Sequence, residues 1–164
     1  MTIYQLVKLG LSHIDSKISS INSDVNKAWE DRYKYVEEDL AAFYVAEDGN
    51  TGEALGFITL SHGSIYCKID GLQKRWPMIL IGQIGVDRKF EKQGIGNFLM
   101  KEAISICYTS YRSHKFGLRG IYLEVQPDKE YLIKEWYPRF GFEVVENNKN
   151  LVAMILEFNR LEPK

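Results

Sequence analysis

Gly94 and Gly96 stand two residues apart in VDRKFEKQGIGNFLM, residues 86–100, where an apolar helical pattern begins, and Arg88, Lys89 and Lys92 lie just ahead of them. Glycine costs about 1 kcal/mol relative to alanine inside a helix, so its use here needs a reason. A strand that ends at Val86 and turns through this basic segment aims the first N–H groups of the following helix outward. Those donors have no partner within the helix, and with the positive end of its dipole they make an anion site. Bare glycine lets a diphosphate approach the main chain with no Cβ in the way. The chemistry that this spacing suits is the binding of a phosphorylated ligand. A surface turn with solvated charges is the alternative reading of the same residues. The segment is not a dinucleotide-binding GxGxxG turn with an acidic strand end after it, and the missing GK[ST] excludes a P-loop.

The elements that must position this turn follow from hydrophobic periodicity. Ile3–Leu9 alternates as a strand, followed by possible helix caps at Ser12 and Asp15. Ile21, Val25, Ala28, Trp29, Val36 and Leu40 recur at helical spacing, which predicts an amphipathic helical region with an interruption. Two apolar runs flank the turn Asp48–Gly52 as a hairpin, and a third run, Met78–Val86, follows LQKRWP; these predict three neighbouring antiparallel strands. Gly94–Tyr111 carries Ile95, Phe98, Leu99, Ala103, Ile106 and Cys107 on one helical face. Gly120–Gln126 reads as a strand, DKEYLIKEWY as a short helix that ends at or near Tyr137 because Pro138 follows, and FEVVE and VAMILEF as two closing strands. This order predicts a single domain over residues 1–164, of the α/β class (α+β type), with a mixed, mostly antiparallel twisted sheet of six to seven strands and about four helices.

The composition agrees with an ordinary folded domain. The 164 residues are 45% hydrophobic and 26% charged, close to the averages for soluble proteins. A formal net charge of −1 supplies no global attraction to nucleic acid or anionic membrane. No stretch approaches the roughly 20 apolar residues of a membrane span, and the start has no signal-peptide pattern, so a cytoplasmic protein that needs no membrane is expected. Cys67 and Cys107 form neither a CxxC pair nor a disulfide framework and read as core fillers. His13, His62 and His114 are scattered, and no metal site is expected.

The stretch VDRKFEKQGIGNFLMKEAI closely resembles the acyl-CoA-binding motif of the GNAT (GCN5-related) N-acetyltransferases, Q/R-x-x-G-x-G/A between a strand and a helix. Glu91, Lys92, Gln93, Gly94, Ile95 and Gly96 occupy its six positions. Glu91 departs from the Gln or Arg of the pattern and must point away from the phosphates. EWYPRFGFE is similar to the family's F-Y-x-x-x-G-F block, with Tyr137 at the tyrosine and Gly141 and Phe142 at its end. The resemblance covers most of the chain. It implies the GNAT fold and acetyl-CoA as co-substrate, bound through Lys92, Gln93, Gly94, Ile95, Gly96 and Asn97. It further implies that Ile84, Gly85 and Val86 pair with the pantetheine, that the Val86 amide holds the thioester oxygen, and that Tyr137 is the general acid.

Direct acetyl transfer needs a neutral amine, stabilisation of developing negative charge and a proton for the departing thiolate. For the base, alternation on IYLEVQ places Tyr122, Glu124 and Gln126 on one face, and Glu124 is the candidate carboxylate there, with a solvated strand residue as its other reading. Gln83 can orient an amine but cannot take its proton. An α-amine of pKa about 7.8 is roughly a quarter neutral near pH 7.4, a lysine amine about 0.1%. Without a base, α-amino or similar acceptors are favoured. The expected function is transfer of acetyl from acetyl-CoA to a primary amine. Within the family, FYVAEDGNTGEALGFITLSHGSI followed by WPMILIGQIGVDRKFEKQGIG looks like the bacterial toxins that acetylate aminoacyl-tRNA, which implies tRNA, a small antitoxin and a homodimer as partners. A GNAT-fold module that holds acyl-CoA without turning it over is the other alternative.

Overall fold

In a computed structural model of the chain, which describes residues 3–113 and 116–162, seven strands are formed. They are β1 (Tyr4–Lys8), β2 (Ala42–Asp48), β3 (Ala54–Ile69), β4 (Leu72–Val86), β5 (Gly120–Val125), β6 (Glu143–Asn147) and β7 (Val152–Glu157). The sheet order is β1-β2-β3-β4-β5-β7-β6. The ladders β1–β2, β2–β3, β5–β7 and β6–β7 are antiparallel, and β4 runs parallel to β5 through the pairs Met78↔Gly120 to Leu80↔Tyr122. Helices α1 (Ser23–Glu30), α2 (Arg32–Glu37) and α3 (Ile95–Ser113) are joined by a fourth helical run, Leu132–Trp136 continued by Tyr137–Phe140. The mixed, mostly antiparallel sheet with about four helices is the one that periodicity predicts. His114 lies outside the described residues.

The chain forms two compact units, and β3 and β4 contribute to both. The first comprises Met1–Ser61 and Gly82–Ala103. Its core sets Val25, Ala28 and Trp29 of α1 against Phe43 and Val45 of β2 and Phe57 of β3. The rings of Phe43 and Phe57 stack at 5.5 Å, and Trp29 meets Phe57 at 5.3 Å. The interruption predicted in the helical region falls at Asp31, between α1 and α2. Ile21 and Leu40, expected on its apolar face, lie outside both helices and are exposed. Neither Ser12 nor Asp15 caps a helix. Asn22 caps α1, its side chain accepting the Asp24 N–H at 2.9 Å, while Ser12 sits within a one-turn 3-10 helix, Leu11–His13, that starts after Gly10.

Three buried polar residues, His13, Glu47 and Arg32, brace this unit without having been legible in sequence. His13 Nε2 meets Glu47 Oε1 at 2.5 Å, and Gln5 Nε2 donates to the other oxygen of Glu47 at 2.9 Å. Arg32 is buried and donates to the carbonyls of Trp29, His13 and Ile14. Burying such groups is costly unless they are paired, and these pairings fix the segment between β1 and α1.

The second unit comprises His62–Ile81 and Ile104–Lys164. Ile65, Cys67 and Ile69 of β3, Trp76 and Met78 of β4, Tyr122 of β5 and Ala153 and Ile155 of β7 form one cluster. Trp76 Nε1 donates to the Cys67 carbonyl at 3.0 Å. β4 starts at Leu72, six residues before the apolar run that marks it in sequence, so LQKRWP is part of the strand. The reversal is made at Asp70 and Gly71, both at positive φ (51° and 79°). Cys67 and Cys107 are free and buried, as expected of core fillers, and burial pushes the Cys107 thiol up to about 12. Among the described residues no helix is long and apolar enough to cross a membrane, and no group of three His, Cys, Asp or Glu could hold a metal.

Candidate active site

In the first unit, β4 delivers its main chain to the glycine turn in a fixed orientation. The Asp87 N–H donates to the Leu55 carbonyl of β3 at 2.9 Å, and the Gln83 N–H donates to Thr59 Oγ1, also on β3, at 2.8 Å. Amides alternate in direction along a strand, so those of Ile84 and Val86 are directed away from β3. Gly85 is bare for packing: a Cβ there would come within 2.2 Å of Val25 Cγ1 and 3.1 Å of Phe57. Ile84 and Val86 are half-buried and Gly85 buried.

The turn itself is pinned from three sides. Asp87, buried, accepts the Ser19 N–H at 2.8 Å and the Lys89 N–H at 2.9 Å, capping the 3-10 turn Arg88–Phe90. The Arg88 N–H donates to the Ser19 carbonyl at 2.9 Å. The Tyr4 hydroxyl of β1 donates to the Gln93 carbonyl at 3.0 Å. Lys92 (φ 62°) and Gly94 (φ 83°) are in left-handed conformation, which bends the chain into α3. A Cβ at Gly94 would meet nothing within 4 Å, so its position faces open space. Phe98 makes the first helical bond, to the Gly94 carbonyl at 3.0 Å, leaving the amides of Ile95 and Gly96 ahead of it. Ile95 itself is buried and Lys92, Gln93, Gly94 and Asn97 are exposed, with Gly96 between. Thus Ile84, Gly85, Val86 and Lys92 to Asn97 belong to one unit and one continuous segment, and Glu91 is exposed beside it. Arg88 is turned to the segment that precedes α1, its guanidinium donating to the Ser20 carbonyl at 3.1 Å. Asp87 is the positioning residue missed in sequence; an aspartate at the end of an apolar run and before a turn is the signal for it.

The second unit holds Tyr137 and Glu124. Leu132–Trp136 is a π-helical turn, and Tyr137 bonds through its N–H to the Leu132 carbonyl. The helical path does not stop at Tyr137: a 3-10 turn, Tyr137–Phe140, carries Pro138 within its first turn, where a proline needs no N–H, and ends at Gly141 (φ 93°). The Tyr137 ring is buried edge-on against Trp136 at 4.8 Å and Phe142 at 5.9 Å. Its hydroxyl has no hydrogen-bond partner among the described residues, yet it is not sealed in; Arg32 Nε is the enclosed side-chain atom left without one. Burial pushes the Tyr137 hydroxyl up to about 12, so it keeps its proton throughout the physiological range. Glu124 is exposed on β5, opposite Ala153 of β7. Tyr122 shares its face, as alternation predicts: burial first, and then the Glu124 charge, raise the Tyr122 hydroxyl above the usual tyrosine value.

Residues 39–144 match the acetyltransferase (GNAT) domain. The chain belongs to the GNAT family. This GNAT chain is 29% identical to N-alpha-acetyltransferase 50 of Danio rerio over 73% of its length and 63% of that protein. It is 31% identical to a tRNA-acetylating toxin of Mycobacterium tuberculosis over 57% of each. The matches therefore span about three fifths of these relatives' lengths. A solved structure of AtaT complexed with acetyl-methionyl-tRNAfMet shares the fold, with a TM-score of 0.79 at 16% identity over 97% of both chains.

The raised Tyr137 hydroxyl also makes the GNAT domain's stability sensitive to alkali. The unfolded chain loses this proton near pH 10 and the folded chain near 12. Its stabilising contribution is therefore complete below pH 10 and disappears as pH rises through 12. Urea midpoints at pH 9.5 and 11.5 should show a loss about 2 kcal/mol larger in the native chain than in Tyr137→Phe. Equal losses would mean that the hydroxyl is not held in a buried setting.

Proposed function

We infer that the chain transfers an acetyl group from acetyl-CoA to an α-amino group, and that the amine is carried by an aminoacyl-tRNA. The observation that carries the first part is the helix start at Gly94, where left-handed turns and a bare position present the amides of α3 to an anion. In this reading the amides from Lys92 to Asn97 bind the CoA pyrophosphate, with the Lys92 ammonium nearby. The main chain of Ile84, Gly85 and Val86 pairs with the pantetheine, and the Val86 amide steadies charge developing on the thioester oxygen. Acetyl-CoA supplies the activated acyl group. The protonated Tyr137 hydroxyl delivers the proton that the leaving thiolate needs.

The exposure of Glu124 supports an α-amine as acceptor. An exposed strand carboxylate is a poor base for a lysine ammonium, whereas an α-amine supplies its own neutral fraction near pH 7. By name, one curated relative is an N-alpha-acetyltransferase and the other a tRNA-acetylating toxin, and the two together support this acceptor. The toxin reading brings with it a homodimer, a small antitoxin as inhibitor and action in the cytoplasm.

The test is a panel of acceptors given labelled acetyl-CoA: aminoacyl-tRNA, a peptide with a free N-terminus, a polyamine and free amino acids. Label should accumulate on the aminoacyl-tRNA and be released with the amino acid when the ester is hydrolysed. Label on the peptide alone would replace tRNA by protein N-termini. Tight CoA binding without thiol release under any acceptor would make the chain a non-catalytic acyl-CoA-binding module.

A further inference from the structure

The cations of the second unit are unevenly paired. Arg112, Arg119, Lys129, Lys134, Arg139 and Arg160 each bridge to a carboxylate. On the hairpin that joins β3 to β4, Lys68, Lys74 and Arg75 have no carboxylate partner among the described residues, a state shared by Lys149. Asp70, the one acidic residue between His62 and Pro77, is held by Arg119 at 2.6 Å. This hairpin is therefore a local positive surface on a chain whose formal net charge is −1.

The alternation of β3 sorts its side chains. Ile65, Cys67 and Ile69 enter the core, and Ser64, Tyr66 and Lys68 face the other way. Arg75 of β4 joins that outer face, its guanidinium donating to Ser64 Oγ at 3.2 Å. Lys74 is on the opposite side, its Nζ 4.3 Å from the buried Trp76 ring. The outer face thus carries a tyrosine that is 56% exposed in mid-strand with two uncompensated cations beside it. Cations bind phosphates without regard to sequence, and an exposed ring is a platform for an unpaired base.

We propose that this face, Tyr66 with Lys68 and Arg75, binds the RNA that carries the acceptor amine, the cations on its phosphates and the ring under an unpaired base. The proposal rests on the aminoacyl-tRNA reading above. It gives an acidic chain a confined RNA footprint.

The experiment uses the full chain with Lys68→Gln/Arg75→Gln and, separately, Tyr66→Ala. Uncharged tRNA binding is followed by fluorescence anisotropy across a salt series, beside acetylation of aminoacyl-tRNA and of a small amino-acid ester. All three side chains are exposed, so urea midpoints should be unchanged. The double variant should bind tRNA about tenfold more weakly near 0.1 M salt and lose roughly 1.5 to 2 from the log–log salt slope. Tyr66→Ala should weaken binding by about tenfold with the slope kept. Acetylation of the small ester should be unaffected in both, and Lys134→Gln, on a paired cation, should change nothing. Unchanged tRNA affinity and slope, with aminoacyl-tRNA still acetylated, would overturn this face alone. A native chain that acetylates the small ester but neither binds nor acetylates tRNA would overturn the acceptor reading and this proposal together. A double variant that keeps tRNA affinity but sediments as a smaller species would give the face to a second copy of the chain instead.

Discussion

The Tyr137→Phe enzyme should turn over at least a hundredfold more slowly than the native one at neutral pH, with its affinity for CoA within about twofold. General-acid assistance is worth about 10² to 10⁴ in rate, so a hundredfold loss, about 2.7 kcal/mol of barrier, is the lower end of what the role demands. The substitution suits the question. It keeps the ring against Trp136 and Phe142, and the hydroxyl it removes has no hydrogen-bond partner to orphan among the described residues. Stopped-flow thiol release and equilibrium CoA titration, run side by side, separate the two quantities. Because Tyr137 holds its proton until about pH 12, the native rate should climb between pH 6.5 and 8.5 as the α-amine is freed, with no alkaline fall from this residue in that range. Native turnover in Tyr137→Phe would assign the proton to another donor.

Gly94→Val should have its largest effect on the other quantity, raising the dissociation constant of acetyl-CoA by about a hundredfold. Two causes add. At φ 83° a β-branched residue is strained by roughly 1–3 kcal/mol, and relief of that strain moves the turn that aims the amides of α3. The new side chain also enters the open space that a diphosphate would fill. Since among the described residues, its chain neighbours aside, no atom lies within 4 Å of a Cβ at that place, the fold should survive, with a urea midpoint lowered only by the backbone strain. Calorimetric titration with acetyl-CoA against the native protein measures the effect. A folded Gly94→Val chain with native affinity would mean that the pyrophosphate lies elsewhere.

The parts of the site legible in sequence were those that depend on one contiguous pattern. Gly94, Gly96 and the apolar stripe of α3 fall within about fifteen residues, so turn and helix could be read together. Alternation paired Tyr122 with Glu124 correctly, but the same alternation has no means of saying which face is covered, and Glu124 proved exposed. In LQKRWP four consecutive exposed residues, Leu72 to Arg75, mask a strand whose buried positions begin only at Trp76. The helical path through Pro138 was hidden for a different reason: a π turn running into a 3-10 turn has no single period to detect. The braces on the turn were beyond reach altogether. Ser19 and Asp87 are separated by 68 residues, and His13 and Glu47 by 34, so only folding introduces them.

The hydroxyl that steadies the Gln93 carbonyl belongs to Tyr4, which is 89 residues earlier in the chain. At about 5–20 residues per second, a ribosome makes Tyr4 roughly 5 to 20 seconds before the residue it must hold. Once β2 has been made, β1 and β2 can pair, but the segment Gly82–Ala103 that completes the first unit has yet to be made. A nascent chain is thus without a finished glycine turn until α3 has emerged. Premature termination anywhere before that point should yield fragments unable to hold acetyl-CoA.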